Sequence, residues 1–376
     1  MEKIQPKVQN EVLKNKLIYN IPFVFSNNDC TECYINSSLQ CILCVPEVFN
    51  YLLRINNHIN QIENIEKCGQ GKKSNQLKEN YSILKVAKHL SILLSKLEIF
   101  INKKNESQIK EILSSEKIIT LNPENLKKYI KLTFGDNTSY FIGQQCAFEF
   151  IKKLLIKLNI FFKKYFNENI IQNTFGSEKR CLSTCNRCSS LNGITEFSEI
   201  QCLYLNPKQK EKNNNSNIYN LNTTSSLKTN NNNESVASLI IKYFKPEEVT
   251  DWKCHVCGNI GCTKSWYFST FPEYLFICLK RFNNQMKKNN NPVFINLTIE
   301  ILKCNYELVC DIVHIGKSIN SGHYISIIKK FNNFFLMNDN NGKFIGNIDN
   351  DKFNEIDYVL NNSYVLLYRK RDDKNN

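Results

Sequence analysis

Two kinds of periodicity divide this chain. From Cys33, the apolar positions Ile35, Leu39, Ile42 and Leu43 recur at helical spacing and predict one amphipathic helix. Pro46 ends that helix or opens the next, which is expected from Val48 to Leu53. Ile83, Leu84, Val86, Leu90, Leu93, Leu94 and Leu97 mark a stronger helix. Ala147, Phe150, Ile151, Leu154 and Leu155 line one face of another, expected over Gln144 to Leu158. The pattern then shortens. Gly193 to Tyr204, Trp266 to Leu275 and Leu275 to Phe282 are expected as strands, followed by Leu308 to His314, Tyr324 to Lys329, Asn333 to Met337 and Ser363 to Arg369.

Polar stretches separate these runs. Residues 1–20 are expected as a loose leader, 66–80 as a loop and 101–108 as a break. Residues 208–234 are Asn, Lys, Ser and Thr in the main. They bury too little apolar surface to offset the entropy of ordering, which predicts a disordered insertion, with a smaller one over Asn283 to Asn291. No internal repeat is evident. A helical first half and a strand-rich second half predict an α+β architecture, with a site in the cleft between the halves.

Composition narrows the classes. The chain has 376 residues, 42% of them apolar, enough for one large domain or two small ones. No run of about 18 apolar residues predicts a membrane helix, and the charged N-terminus lacks the apolar core of a secretory signal. The 16 cysteines are therefore expected as thiols and metal ligands rather than disulfides, in a reducing compartment, cytosol or nucleus. The net charge of +14 comes from 49 Lys and Arg against 35 Asp and Glu. The lysines scatter through Asn-rich loops and form no stripe with aromatics, so neither a nucleic-acid partner nor a membrane surface is expected.

Candidate chemistry starts at Cys33. A free cysteine is most often an inert core thiol. Cys33, however, opens a helix directly after a polar turn, where the helix N-terminus can acidify it. The Asn28 amide upstream and the Cys33 backbone N–H are expected to hold a developing oxyanion. Far downstream, Gly322-His323-Tyr324 offers a base, and Gly322 lets another backbone pass close by. His314 and Gly316 are expected to frame a mobile flap ending at Gly322, with His314 structural. Asn338-Asp339 follows a short strand. Asn338 is expected to accept the His323 Nδ1–H, with Asp339 as helper or substitute. A cysteine, a distant histidine and an Asn or Asp, adjacent only in the fold, suit a cysteine hydrolase.

Cys185-Asn-Arg-Cys188 and Cys254-His-Val-Cys257 form a second constellation. Two residues between cysteines let both sulfurs of a tight turn reach one metal, and two such turns complete a closed, structural zinc site. The long interval between them places the site at the tips of two hairpins, with the Asn-rich insertion between. Cys181 and Cys262 flank the pairs and are not expected as ligands.

Together these residues resemble the ubiquitin-specific protease family, papain-like cysteine proteases with a helical thumb, a β-rich palm and zinc-bearing β fingers. The resemblance rests on Cys33-Tyr34-Ile35-Asn36-Ser37-Ser38-Leu39-Gln40 and Gly143-Gln144-Gln145-Cys146-Ala147-Phe148-Glu149-Phe150. It extends to both C-x-x-C pairs, Leu279-Lys280-Arg281-Phe282, a histidine box of His314, Gly316 and Gly322-His323-Tyr324, and Ser363-Tyr364-Val365-Leu366-Leu367-Tyr368. It implies a catalytic domain over 21–372, with the thumb at about 21–165, the fingers at about 175–270 and the palm at about 271–370. It also implies a deubiquitinase acting, as a monomer, on ubiquitin and ubiquitinated proteins, with Gln145, Glu149, Gly322 and Tyr324 meeting the substrate. The chain departs from the family's pattern at three points. Cys30-Thr31-Glu32 stands where the family has Gly-Asn-Thr, Cys146 stands where it has an acid, and Phe334 stands where it has Trp. Glu32 is expected to oppose thiolate formation if its carboxylate lies beside the thiol. These departures keep open a catalytically weak or inactive ubiquitin-binding protein, or a protease for a ubiquitin-like modifier. A basic zinc protein that binds nucleic acid would leave Cys33, His323 and Asn338 unexplained.

Overall fold

A computed structural model describes residues 17–27, 32–55, 58, 61–62, 75–104, 108, 118–134, 145–208, 234–283, 285–319 and 321–371. The chain opens with β1 (Phe23–Phe25), α1 (Cys33–Leu43), α2 (Pro46–Arg54), α3 (Asn75–Asn102), β2 (Ile119–Leu121), α4 (Glu124–Phe134), α5 (Ala147–Phe166) and α6 (Ile170–Phe175). There follow β3 (Ser177–Cys185), β4 (Leu191–Ser198), β5 (Cys202–Leu205), β6 (Glu234–Ser235), α7 (Val236–Phe244), β7 (Glu247–Lys253), β8 (Ile260–Thr270) and β9 (Tyr274–Leu279). The last third holds β10 (Val293–Phe294), β11 (Thr298–Ile301), β12 (Cys304–Ser318), β13 (Ser321–Lys330), β14 (Asn333–Asn338), β15 (Asn341–Gly346), α8 (Asn350–Glu355), α9 (Val359–Asn362) and β16 (Ser363–Lys370). The expected α+β architecture is present. No helix among the described residues is long and apolar enough to cross a membrane.

The eight-stranded sheet runs β15-β14-β13-β12-β16-β9-β5, with β11 on β12. Its strands alternate between two cores. Phe276, Cys278, Cys310, Ile312, Tyr324 and Ile328 face the helical half, whereas Leu275, Ile277, Leu279, Val313, Ile325 and Ile327 face a second core that includes α7 residues. Burial on both faces is why these strands appear in sequence as nearly unbroken apolar runs. A separate four-stranded sheet, β4-β3-β8-β7, carries the cysteine knuckles.

α1 is the centre of the helical half, and all eleven of its residues are buried. Its polar side chains satisfy backbone groups of neighbouring elements. Gln40 Nε2 donates to the Phe23 carbonyl at 2.6 Å, Asn36 Nδ2 to the Phe25 carbonyl at 3.2 Å, and Ser38 Oγ to the Ala147 carbonyl at 3.1 Å. β1 thus has β2 on one edge and α1 amides on its carbonyls, which leaves few groups unpaired in the interior.

Several expectations are corrected. The loose leader expected over 1–20 does not hold at its described end: Ile18 is fully buried, and Tyr19 packs edge-on against Phe49 and donates to the Cys44 carbonyl at 2.6 Å, while residues 1–16 lie outside the described residues. The loop expected over 66–80 gives way to α3 from Asn75, while 66–74 lie outside the described residues. Gly193 to Tyr204 is two strands, β4 and β5, and the run through Leu275 likewise splits into β8 and β9. The Asn283–Asn291 stretch is ordered where described. Asn283 Oδ1 accepts the backbone N–H groups of Gln285 and Lys287, and Lys288 is buried with its ammonium on the His314 carbonyl and Asn362 Oδ1. Asparagine there closes its own turn. The expected flap between His314 and Gly322 is the end of a β-hairpin, in which Ile315 pairs with His323 and Ser318 with Ser321. Residues 209–233, within the expected insertion, lie outside the described residues.

Candidate active site

The first turn of α1 packs against β13, the strand that carries the base. The Tyr324 backbone N–H donates to Cys33 Sγ at 3.4 Å, so the His323–Tyr324 peptide lies directly against the thiol. Burial pushes the Cys33 thiol above its ordinary range. The Tyr324 N–H opposes that rise, and the Asp339 charge adds to it. The thiol proton therefore needs an acceptor.

His323 Nε2 lies 2.7 Å from Asn338 Oδ1. An amide oxygen only accepts, so Nε2 carries the proton and Nδ1 holds the free lone pair. The partner expected for Asn338 was Nδ1–H, and the structure assigns that bond to the other nitrogen. The Asn338 contact itself is present, and the tautomer it selects turns the basic nitrogen away from Asn338.

Asp339 does not share that role. Its Oδ1 accepts from Asn36 Nδ2 at 2.7 Å and its Oδ2 from Asn27 Nδ2 at 3.0 Å, while Asn340 Oδ1 accepts the Asn27 backbone N–H at 2.7 Å. Asp339 sits at φ 45°, a left-handed turn position after β14. The turn thus clamps the end of β1 to α1 and carries Asn338 with it. Asn27 and Asn36 were not singled out from sequence. Asn36 lies one helical turn beyond Cys33, but Ser37, Ser38 and Gln40 are polar on the same helix, so nothing local marked it. Asn28 lies outside the described residues, as do Gly143 and Gln144.

Glu32 is not the charge the thiol feels. Its carboxylate is 2.9 Å from Lys127 Nζ and also pairs with Lys131. Burial pushes Glu32 upward, but the hydrogen bonds from Lys131 and Lys127 outweigh it and hold the carboxyl below its ordinary range. The opposition to thiolate formation comes from burial of the thiol and, after it, from the Asp339 charge rather than from Glu32.

Among the expected substrate contacts, Gln145 is half-buried and Glu149 and Gly322 are exposed. Tyr324 is corrected. Its ring is fully buried, tilted against His314 at 4.6 Å between centroids, because strand alternation turns it toward the helical half. At this site it offers its backbone N–H. Cys146 Sγ lies 3.0 Å from the Tyr364 hydroxyl, and burial pushes its thiol upward. His314 is fully buried with neither ring nitrogen hydrogen-bonded among the described residues, and burial together with the Lys288 ammonium pushes it down to about 3.

The cysteine knuckles meet at one end of the four-stranded sheet. The sulfurs of Cys185, Cys188, Cys254 and Cys257 all lie within 4.8 Å of one another, with Cys185–Cys257 and Cys188–Cys254 each at 3.7 Å. A tetrahedral zinc with bonds of about 2.3 Å would separate its sulfurs by about 3.8 Å, so the four thiols fit a metal. The Arg187 and Val256 N–H groups point at Cys185 and Cys254 sulfurs at 3.5 and 3.4 Å. Cys181 and Cys262 stand outside the cluster on β3 and β8.

The profile of the family described as ubiquitin carboxyl-terminal hydrolase matches residues 26–368. Ubiquitin carboxyl-terminal hydrolase 36 of Drosophila virilis is 23% identical over 322 residues, 78% of this chain, and the match spans only 22% of that relative's length. Among solved structures, the SAGA DUB module of Ubp8, Sgf11, Sus1 and Sgf73 bound to monoubiquitin matches with a TM-score of 0.61 at 15% identity, covering 94% of this chain and 70% of that one. The same module bound to ubiquitin aldehyde matches with a TM-score of 0.64 at the same identity and coverage. These likenesses establish the fold.

Proposed function

The chain belongs to the ubiquitin carboxyl-terminal hydrolase family, and from that premise we propose that it is a thiol-dependent deubiquitinase. It hydrolyses the peptide or isopeptide bond at the C-terminal glycine of ubiquitin. The observation that carries this reading is the Cys33–Tyr324 N–H contact next to a His323 whose Nε2 is held by Asn338.

His323 Nδ1 takes the Cys33 proton as sulfur bonds to the glycine carbonyl carbon. The Cys33 backbone N–H, at the helix start, and Asn28 hold the oxyanion. The imidazolium then protonates the leaving lysine amine, and the C–N bond breaks. Water adds to the thioester as His323 takes its proton, the C–S bond breaks, and the proton returns to Cys33. Gly322 keeps the channel wall low for a Gly-Gly tail, while Gln145 and the exposed Glu149 face the basic residues of that tail. Cys185, Cys188, Cys254 and Cys257 would hold a zinc of structural role, and no chemical step passes through it. The supporting likenesses are the two solved modules whose titles record monoubiquitin and ubiquitin aldehyde. We place the protein in cytosol or nucleus, acting as a monomer on ubiquitinated proteins.

Burial and the Asp339 charge raise the Cys33 thiol while the Tyr324 N–H opposes that rise, and His323 is the base that takes the proton as sulfur attacks. Turnover of a ubiquitin C-terminal fluorogenic amide by wild type, and its loss in Cys33→Ala, tests the reading. A Cys33→Ala chain that still cleaves would refute it.

A further inference from the structure

The start of α1 is held by a contact that the reaction above does not use. Glu32 occupies the N-cap position of α1, yet its side chain makes no capping hydrogen bond. The carboxylate turns instead to α4, where Lys127 Nζ lies 2.9 Å from Oε2 and Lys131 pairs with Oε1. Glu32 is 7% exposed and Lys127 5%. The same Lys127 ammonium donates to the Ser26 carbonyl at 3.2 Å. One buried cation therefore touches both chain segments that enter the site, the end of β1 and the residue before Cys33. Ser26, Glu32, Lys127 and Lys131 share the wall of a 390 Å³ groove with Glu124, Lys128 and Leu132.

A buried ion pair contributes little net stability when intact, but either partner left alone is strongly unfavourable. In some proteins such a pair serves to fix geometry rather than to add stability. Geometry is what a nucleophile needs, since a misplacement of about 1 Å costs on the order of 10²-fold in rate.

We propose that Lys127 and Glu32 are positioning residues for Cys33: their ion pair, with Lys127 also on the Ser26 carbonyl, fixes the first turn of α1 and the placement of the Cys33 sulfur against the Tyr324 N–H. The pair has a second consequence. The two lysines neutralise a carboxylate adjacent in sequence to the thiol, so removing Lys127 exposes Cys33 to more of that charge, and removing the carboxylate leaves the cations in excess. The two substitutions must therefore move the Cys33 thiol in opposite directions while both disturb its placement. This inference rests on Cys33 being the nucleophile of the proposed hydrolysis.

The test uses the full chain as wild type, Lys127→Met, Lys127→Arg and Glu32→Gln. Two measurements are made on each, kcat and KM for a ubiquitin C-terminal fluorogenic amide, and the pH dependence of Cys33 alkylation by iodoacetamide, read on the Cys33 peptide by mass spectrometry. Lys127→Met is expected to lower kcat by about 10- to 100-fold with KM within about twofold. Its alkylation midpoint rises, and Lys127→Arg restores both. Glu32→Gln also lowers kcat but moves the alkylation midpoint down. If Lys127→Met fails to fold, Glu32→Gln, which keeps shape and removes only charge, decides the question. Unchanged kcat and alkylation in Glu32→Gln, or shifts of the same sign in both substitutions, would overturn the proposal. A wild-type chain that ignores the ubiquitin substrate yet shows the opposed alkylation shifts would count against the hydrolase reading and not against the ion pair.

Discussion

Replacing Gly322 with alanine asks how tightly the base is held. Gly322 adopts φ +147°, a conformation that side chains rarely enter. An added Cβ would lie 2.5 Å from the Ile315 carbonyl oxygen, 2.8 Å from His314 Nε2 and 3.1 Å from Gly316 Cα. Two of these neighbours are backbone atoms and the third belongs to a fully buried ring, so no rotamer change relieves the contact. The dihedral costs about 1–3 kcal/mol. Forcing β12 and β13 apart costs about 1–3 kcal/mol more. Gly346→Ala separates the two contributions, because Gly346 has φ +97° but its nearest neighbour, Phe344, would be 3.7 Å from an added Cβ. Urea unfolding followed by tryptophan fluorescence should show both variants destabilised, and Gly322→Ala the more so by the steric part. Because His323 is the next residue, Gly322→Ala should also lose about 10²-fold in kcat, whereas Gly346→Ala should not. A Gly322→Ala protein as stable as Gly346→Ala and as active as wild type would refute the claim that this close approach sets the position of His323.

Asn338→Ala removes the oxygen that holds the Nε2 proton, and kcat on the fluorogenic amide should fall about 10²-fold or more with KM little changed. Asp339→Ala frees the Asn27 and Asn36 amides and deletes the negative charge near Cys33. Alkylation of Cys33 should therefore move to lower pH while turnover falls. Elemental analysis should find one zinc per chain, lost together with thermal stability in a Cys185→Ser, Cys257→Ser double variant. His314 is held neutral by burial and the nearby Lys288 ammonium, at about 3 against an ordinary value near 6.5. Its contribution to stability is thus complete above about pH 6.5 and falls away as pH drops toward 3. A His314→Gln chain should show a shallower acid limb in pH-dependent urea unfolding, and an identical slope would contradict the assignment.

What the sequence revealed was local. Cys33 at a helix start, the two knuckles and the Gly-His-Tyr strand are each recognisable within a few residues. The contacts that join them were hidden because they cross the fold. Asp339 meets Asn27 and Asn36 across more than 300 residues, and nothing in its neighbourhood distinguishes it from an ordinary turn residue. α4 was missed because its buried face includes Lys127 beside Leu126 and Ile130, and a lysine interrupts an apolar stripe. Glu32 looked like a threat to the thiol because adjacency in sequence says nothing of direction; the carboxylate points to α4. The Asn283–Asn291 stretch looked disordered by composition, yet its asparagines close the chain's own turns and Lys288 reaches a buried carbonyl.

The central claim is that Cys33 is a nucleophile addressed to the C-terminus of ubiquitin. Its most direct test is a ubiquitin bearing a C-terminal electrophile, incubated with the folded, zinc-loaded chain and mapped by mass spectrometry, beside the same electrophile on ubiquitin-like modifiers. The account predicts one covalent adduct, on Cys33, formed with ubiquitin and abolished in Cys33→Ala. No adduct, or an adduct on any other of the 16 cysteines, would contradict it.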